Sequence, residues 1–549
     1  MTSSAPTAPG AGSEAAPLSD APSSDAPSRH AAARRTFAVI SHPDAGKSTL
    51  TEALALHTGA VNRAGHVKGK AGRAGVVSDW QEMEQQRGIS ISSAVLQLDH
   101  QGHVLNLVDT PGHADFSEDT YRVLAAVDCA IMLVDAARGM ERQTRKLFDV
   151  CKHRGLPVLT VINKWDRPGR EALDLMDEVA EVTGMTPTPL TWPVGVAGDF
   201  RGVVDRRTGG YTAYTRTPGG ATIAVQEHLS PEQADEREGE TWTTAVEEAE
   251  LLAVENGEHD EEAFLAGRTT PVLFAAAVLN FGVDHLLEAL LEHAPAPGPR
   301  PDVAGEPRAL DTGFSGQVFK IQSGTDRAHR DRVALVRVCS GHFERGTPLT
   351  VARTGRTLTT KHAQHLQGAT RTSIEESWPG DVVGLVGAAG IEVGDTLHAR
   401  GAVEFPPIPS FAPEHFVVAR PADLSRSKQF HKGIAELDAE GVVQVLRSDL
   451  RGEQAPVLAA VGPLQLEVAV HRMAGDFSCP IKTESLSYSV ARRTTREHVQ
   501  ALTQQRGTEV LERRDGDLLA VFTDVWRLNG VVRELPDVVL EPLVADTTG

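Results

Sequence analysis

From Thr36 onward, short apolar runs alternate with longer stretches of helical periodicity. The runs are Phe37–Ile40, His103–Val108, Ala130–Val134, Pro157–Ile162 and Pro271–Phe274. Runs this short, with helix-like segments between them, predict buried parallel strands joined by crossover helices, a doubly wound α/β domain. Proline and glycine then crowd the chain from Ala294 to Pro301, which predicts a linker over 295–310 after an α/β domain spanning 34–294. Beyond Asp311 the apolar segments shorten to Gln317–Ile321, Arg332–Val338, Pro348–Val351 and Val382–Val386, separated by turns such as Pro379-Gly380-Asp381. This spacing predicts a small all-β barrel over 311–405. A proline-rich break at 405–409 ends it, and the remainder, 406–549, mixes helical periodicity (Ser427–Leu437) with strand-like runs (Val457–Val461) and predicts an α+β domain. There Leu464, Leu466 and Val468 alternate like the core face of a strand. The expected architecture is multidomain: an α/β domain, a β-barrel and an α+β domain.

Composition changes this picture little. A length of 549 residues fits several domains of about 150 residues each. Residues 1–33 are mostly Ala, Ser, Pro and Thr, too poor in large apolar side chains to offset the entropy of ordering, and are expected to be disordered. They lack the apolar stretch of a signal peptide, and no uninterrupted apolar run approaches the roughly 18 residues of a membrane span, so a cytoplasmic location is expected. Cys129, Cys151, Cys339 and Cys479 are widely spaced and suit neither a disulfide framework nor a thiolate metal site.

The net charge of −20 argues against a generic nucleic-acid binder, but 14 acids against one base lie between Glu227 and Glu262. That segment alone contributes −13 and belongs to a helical insertion over about 205–262, expected to be a solvated face.

The candidate chemistry sits where strands end. The first strand runs into Ser41-His42-Pro43-Asp44-Ala45-Gly46-Lys47-Ser48, followed by a helix through Leu50 and Leu54. Such a turn aims the N–H groups of Asp44, Ala45, Gly46, Lys47, Ser48 and Thr49 at phosphate oxygens, while Lys47 neutralises charge and the Ser48 hydroxyl can ligate Mg²⁺. Ser41 stands where the general phosphate-loop pattern has its first glycine. The second strand ends in Asp109-Thr110-Pro111-Gly112-His113; the acid can hold Mg²⁺ through water, and Gly112 lets a backbone N–H approach a γ-phosphate. A fourth strand ends in Asn163-Lys164-Trp165-Asp166. The Asp166 carboxylate can accept from both N1–H and the 2-amino group of guanine, a pair that adenine does not offer. Phosphate, metal and base elements in this order predict a GTP site.

These motifs resemble the translational GTPases. Asp109–His113 is similar to their third nucleotide motif, and Arg87-Gly88-Ile89-Ser90-Ile91 to their first switch. Ser41–Lys47, Ser78–Ser90 and Asp115–Arg122 are closer still to the peptide chain release factor 3 family, in which Ser41 in place of glycine is expected; further similarity runs through Phe281–Asp284, His329–Val333 and Glu440–Val445. The resemblance implies a GTPase of translation termination that uses GTP and Mg²⁺, is stimulated by the ribosome, and drives class-I release factors off after peptide release. It implies that His113 positions the attacking water, that Ser90 joins Ser48 and Asp109 at Mg²⁺, and that the backbone of Ala277 donates to guanine O6. The implied partners are ribosomal RNA and proteins, with class-I release factors acted on indirectly; DNA and membrane are not expected, and the chain is expected to be a monomer.

The basic stretch Asn62–Arg73 suits either contact with ribosomal RNA phosphates or a plain solvated loop. Other readings remain: an elongation or ribosome-protection GTPase, which would need further domains beyond the roughly 140 residues after the second proline break, and the GTP-dependent subunit of a sulfate-activating enzyme, which shares the layout of the first two domains.

Overall fold

The computed structural model describes residues 25–543 apart from 61–94, 112, 114, 116, 217–221, 257, 323–331, 368–369, 388–389, 409–410, 449–450 and 453. The first part is built on strands β1 (Arg34–Ser41), β2 (Val95–His100), β3 (His103–Asp109), β4 (Cys129–Asp135), β5 (Val158–Asn163), β6 (Thr186–Pro189) and β11 (Thr269–Phe274). They form one sheet in the order β2-β3-β1-β4-β5-β11-β6, parallel except for β2. Alternate residues of β1 explain its two covered faces. Phe37 and Val39 join the cluster with Leu50 and Leu54 of helix α2 (Lys47–His57), whereas Ala38 and Ile40 join Val123 of α3 (Ser117–Leu124), Leu147 and Phe148 of α4 (Arg142–His153) and Val179 of α5 (Ala172–Thr183). A sheet buried on both faces requires near-continuous apolar strands, which is why these runs were readable. The chain leaves β1 toward β3 on one side and returns to β4 on the other, so the strand order reverses at β1. In such sheets ligands bind beyond the carboxyl ends of the strands at the reversal.

A four-stranded antiparallel sheet follows: β7 (Thr191–Val194), β8 (Gly202–Asp205), β9 (Tyr211–Thr215) and β10 (Val225–Leu229). Helices α6 (Pro231–Glu238), α7 (Glu240–Asn256), α8 (Glu261–Leu265) and α9 (Val283–His293) complete this part. The insertion expected to be helical over about 205–262 is helical only from Pro231 onward, because β9 and β10 pair with each other in its first part. Ala234, Trp242, Ala245, Ala249 and Leu252 form its buried stripe, with Trp242 against Tyr211, and most of its acids face outward.

The middle part is an eight-stranded antiparallel sheet around one apolar cluster containing Val318, Ile321, Val336, Leu349, Leu385 and Leu397. The last is a seven-stranded antiparallel sheet with helices α10 (Ser427–Glu440) and α11 (Pro463–Gly475).

Two expectations need correcting. The leading segment is not disordered throughout: Ala26–Ala32 form helix α1, while 1–24 lie outside the described residues. Its small side chains suffice because the helix docks on the middle part. Ala26 and Ala31 are buried, the Ser28 N–H donates to Asp311 Oδ1 at 3.0 Å, and the His30 ring stacks on Trp378 at 3.9 Å. The Leu464, Leu466 and Val468 stripe lies on α11, not on a strand. Pro463 in the first turn starts the helix, and Leu464 and Val468, four apart, share its buried face; over five residues a period of two does not exclude that spacing. The four cysteines are free and buried. No described helix is long and apolar enough to cross a membrane.

Candidate nucleotide site

The loop after β1 is shaped by two left-handed residues, Asp44 (φ 65°) and Gly46 (φ 100°), on either side of Ala45. Gly46 is the N-cap of α2, so the N–H groups of Lys47, Ser48 and Thr49 are first-turn donors without intrahelical acceptors. Together with the positive end of the helix dipole they make an anion site. A Cβ on Gly46 would lie 2.4 Å from Asn163 Nδ2, and that amide cannot step aside because it is bonded at both ends. With a left-handed penalty of roughly 1–2 kcal/mol added to this clash, Gly46→Ala should weaken nucleotide binding by at least about tenfold. Titration with a fluorescent GDP analogue measures it; an unchanged affinity would contradict this geometry.

Beneath the loop, the Lys47 ammonium donates to Asp109 Oδ1 at 2.7 Å, and both side chains are buried. The Thr110 N–H also donates to Oδ1, at 3.0 Å, while Asp109 Oδ2 is buried with no hydrogen-bond partner. An unpartnered buried carboxylate oxygen is costly in isolation and suits a hard cation or its water shell. Ser48, on the first turn of α2, adds a hydroxyl oxygen. This donor set fits Mg²⁺.

At the other end, Asn163 closes β5 and ties two loops together: its Nδ2 donates to Ala45 O at 2.8 Å and its Oδ1 accepts from the Ala277 N–H at 3.0 Å. Lys164, left-handed at φ 67°, donates to the Asp44 carbonyl and to Asp135 Oδ2 at 2.8 Å. Burial works to raise the Asp135 pKa, but the Lys164 bond and charge, with backbone N–H donors, outweigh it and hold the carboxyl below its ordinary value. Trp165 anchors the turn, buried edge-on against Phe274 at 4.9 Å. Asp166 Oδ1 is buried without a hydrogen-bond partner, an acceptor left for a donor from outside the chain.

Asn163 and Lys164 thus tie Asp44, Ala45 and Ala277 together by hydrogen bonds, with Gly46 packed against Asn163 and Lys47 bonded to Asp109. The Ala277 N–H, expected at guanine O6, donates here to Asn163 Oδ1 and so braces that side chain. Gly112, Ser90 and the basic stretch Asn62–Arg73 lie outside the described residues. Asp135 was missed, although an acid closing the apolar β4 is the same signal that singled out Asp109.

His113 is partly exposed, and Asp115 holds its ring, with Oδ1 3.2 Å and the backbone N 3.3 Å from Nδ1. The other carboxylate oxygen of Asp115 accepts from the Leu464 N–H at 2.6 Å, at the start of α11. Helix α3 continues these contacts: Asp119 accepts from Lys320 at 2.6 Å, Glu118 from Gln444 at 3.4 Å, and Arg122 donates to the Glu440 carbonyl at 3.4 Å. The segment carrying the histidine is therefore bonded to both the middle and the last parts of the chain.

Comparison with known proteins bears on this arrangement directly. Residues 32–296 match the elongation factor Tu GTP-binding domain, 313–400 match domain 2 of elongation factor G, and 405–532 match the C-terminal domain of class II release factor RF3. The peptide chain release factor 3 of Microcystis aeruginosa is 47% identical over 462 residues, covering 84% of this chain and 85% of that one. The peptide chain release factor 3 of Trichodesmium erythraeum is 44% identical over 512 residues, covering 92% and 94%. The chain belongs to the peptide chain release factor 3 family. Within that family the C-terminal match separates the termination reading from the elongation, ribosome-protection and sulfate-activation alternatives, which the first two parts alone leave open. A solved structure of a Thermus thermophilus protein shares the fold, with a TM-score of 0.66 at 23% identity over 89% of this chain and 72% of that one. A release factor 3 family member with a translational GTPase domain is a GTPase of translation termination.

Proposed function

We propose that this chain hydrolyses GTP on the ribosome and uses the cycle to release class-I release factors after the peptide has left. The observation that carries the reading is the bonding of the His113–Arg122 segment to the last part of the chain through Asp115–Leu464, Glu118–Gln444 and Arg122–Glu440, which links a phosphate-sensing loop to the family's own C-terminal unit.

In this reading the N–H groups of residues 44–49 and the Lys47 ammonium hold the phosphates, with Gly112 adding a donor at the γ-phosphate. Asp166 accepts from N1–H and the 2-amino group of guanine, Lys164 spans from the loop to Asp135, and Asn163 locks both loops in register, itself braced by Ala277. Ser48, Ser90 and Asp109 would hold Mg²⁺, which when bound neutralises charge building on the phosphate oxygens. His113 orients the attacking water, and Asp115 is its positioning residue, fixing the ring while bonded to α11. Loss of the γ-phosphate loosens the loop that presents His113, and the three bonds carry that change to the last part. The ribosome binds the chain, and the cell holds it in the cytoplasm as a monomer.

Steady-state GTP hydrolysis by the purified protein tests this reading. Adding ribosomes is expected to raise turnover at least about tenfold, because catalysis here rests on positioning groups that are loose in the free protein. Turnover independent of ribosomes would overturn it.

A further inference from the structure

Away from the nucleotide loops, two imidazoles converge on one carboxylate. His259 precedes α8, Glu261 is the first residue of α8, and His293 is the last residue of α9. Glu261 Oε2 lies 3.1 Å from His259 Nε2 and 3.0 Å from His293 Nδ1, and the three ligand atoms all fall within 4.8 Å of one another. The two rings meet edge to face with centroids 4.3 Å apart. His293 is buried, His259 is mostly covered, and Glu261 is about half exposed.

Hydrogen bonding satisfies only the inward nitrogens of this cluster. For both imidazoles to donate to the same oxygen, each must carry its proton on the inward nitrogen. That leaves acceptor lone pairs on His259 Nδ1 and His293 Nε2, which are both buried without hydrogen-bond partners. A divalent cation takes both inward lone pairs and the carboxylate oxygen together. Tetrahedral zinc with nitrogen and oxygen bonds near 2.0–2.1 Å sets its ligand atoms roughly 3.3 Å apart, close to the two spacings found here. The outward Nε2 of His293 lies 3.8 Å from Glu292 Oε2, beyond direct hydrogen-bond range but close enough for its charge to favour a cation.

We propose that His259, Glu261 and His293 form a site for one zinc-class divalent cation. Imidazole nitrogens with one carboxylate select zinc or its first-row neighbours over Mg²⁺, which prefers an all-oxygen shell. The site joins the end of the acidic insertion to the last helix before the linker, and none of its residues belongs to the nucleotide site.

Equilibrium dialysis of the full chain against Zn²⁺, with GDP and excess Mg²⁺ present to occupy the oxygen site, tests this. One Zn²⁺ per chain is expected, with affinity falling about tenfold or more in both His259→Ala and Glu261→Gln. Co²⁺ in place of zinc is expected to show the intense visible bands of four-coordinate cobalt in the parent protein and to lose them in the variants. GDP binding serves as the folding control. If His259→Ala fails it, Glu261→Gln, altered at an exposed carboxylate, decides the matter. Zinc affinity unchanged in Glu261→Gln, or no stoichiometric zinc in the parent protein, would overturn the site.

Discussion

Replacing Asp166 by Asn is expected to weaken GTP binding by about 10⁴-fold, the scale of discrimination when a site built around hydrogen bonds loses them. Asp166 Oδ1 is a buried acceptor with no hydrogen-bond partner among the described residues, so the free protein already bears the cost of an unsatisfied carboxylate oxygen, which in the proposed function guanine relieves with its two donors. The amide introduced by Asp166→Asn would set an N–H₂ donor against the 2-amino group, which is also a donor. Xanthine carries a carbonyl at that position and keeps N1–H, so the same variant should bind xanthosine triphosphate better than GTP. Titration of both nucleotides against the parent and Asp166→Asn proteins checks the exchange. A variant weakened equally toward both would show that the residue shapes the turn beside Trp165 and does not read the base.

The second large effect concerns hydrolysis with binding left intact. His113→Ala should retain nucleotide affinity, since the phosphate and base contacts come from α2, β5 and their loops, yet lose ribosome-stimulated turnover by at least about 10²-fold, the cost of a misplaced nucleophile. Single-turnover hydrolysis on ribosomes, with binding measured separately, distinguishes the two. Asp115→Asn keeps the size of the side chain and its bond from the Leu464 N–H but replaces one oxygen facing the ring, so its effect should be smaller than that of His113→Ala. Equal turnover in the parent and His113→Ala proteins would remove the histidine from the mechanism.

Where the sequence was legible, the reason was periodicity joined to fixed chemistry. The five apolar runs became β1, β3, β4, β5 and β11 within a few residues at their ends, because a sheet covered on both faces tolerates few polar positions. Lys47, Asp109, Asn163 and Asp166 stand out in the sequence because each lies at or just beyond the end of such a run. What escaped depends on contacts distant in sequence. Nothing local marks Asn163 Oδ1 as the acceptor of the Ala277 N–H, 114 residues away, and the family resemblance points that N–H at the base alone. The helix Ala26–Ala32 has an apolar content too low to predict order, and it holds through Asp311 and Trp378 of the middle part. The antiparallel strands β7 to β10 were missed because each is only four or five residues long, which is little periodicity to detect. The bond from Asp115 to α11 joins positions 349 apart and is invisible without the fold.

In the proposed function that bond and its neighbours on α3 make the C-terminal part responsive to the nucleotide, a consequence measurable on the ribosome. Ribosomes halted at a stop codon after peptide release, carrying a labelled class-I release factor, would be mixed with this protein and GTP, and the label followed as it leaves. The account predicts departure at least about tenfold faster than without the protein, with no such acceleration when His113→Ala replaces the parent under multiple-turnover conditions. Departure at the same rate with and without the protein would contradict it.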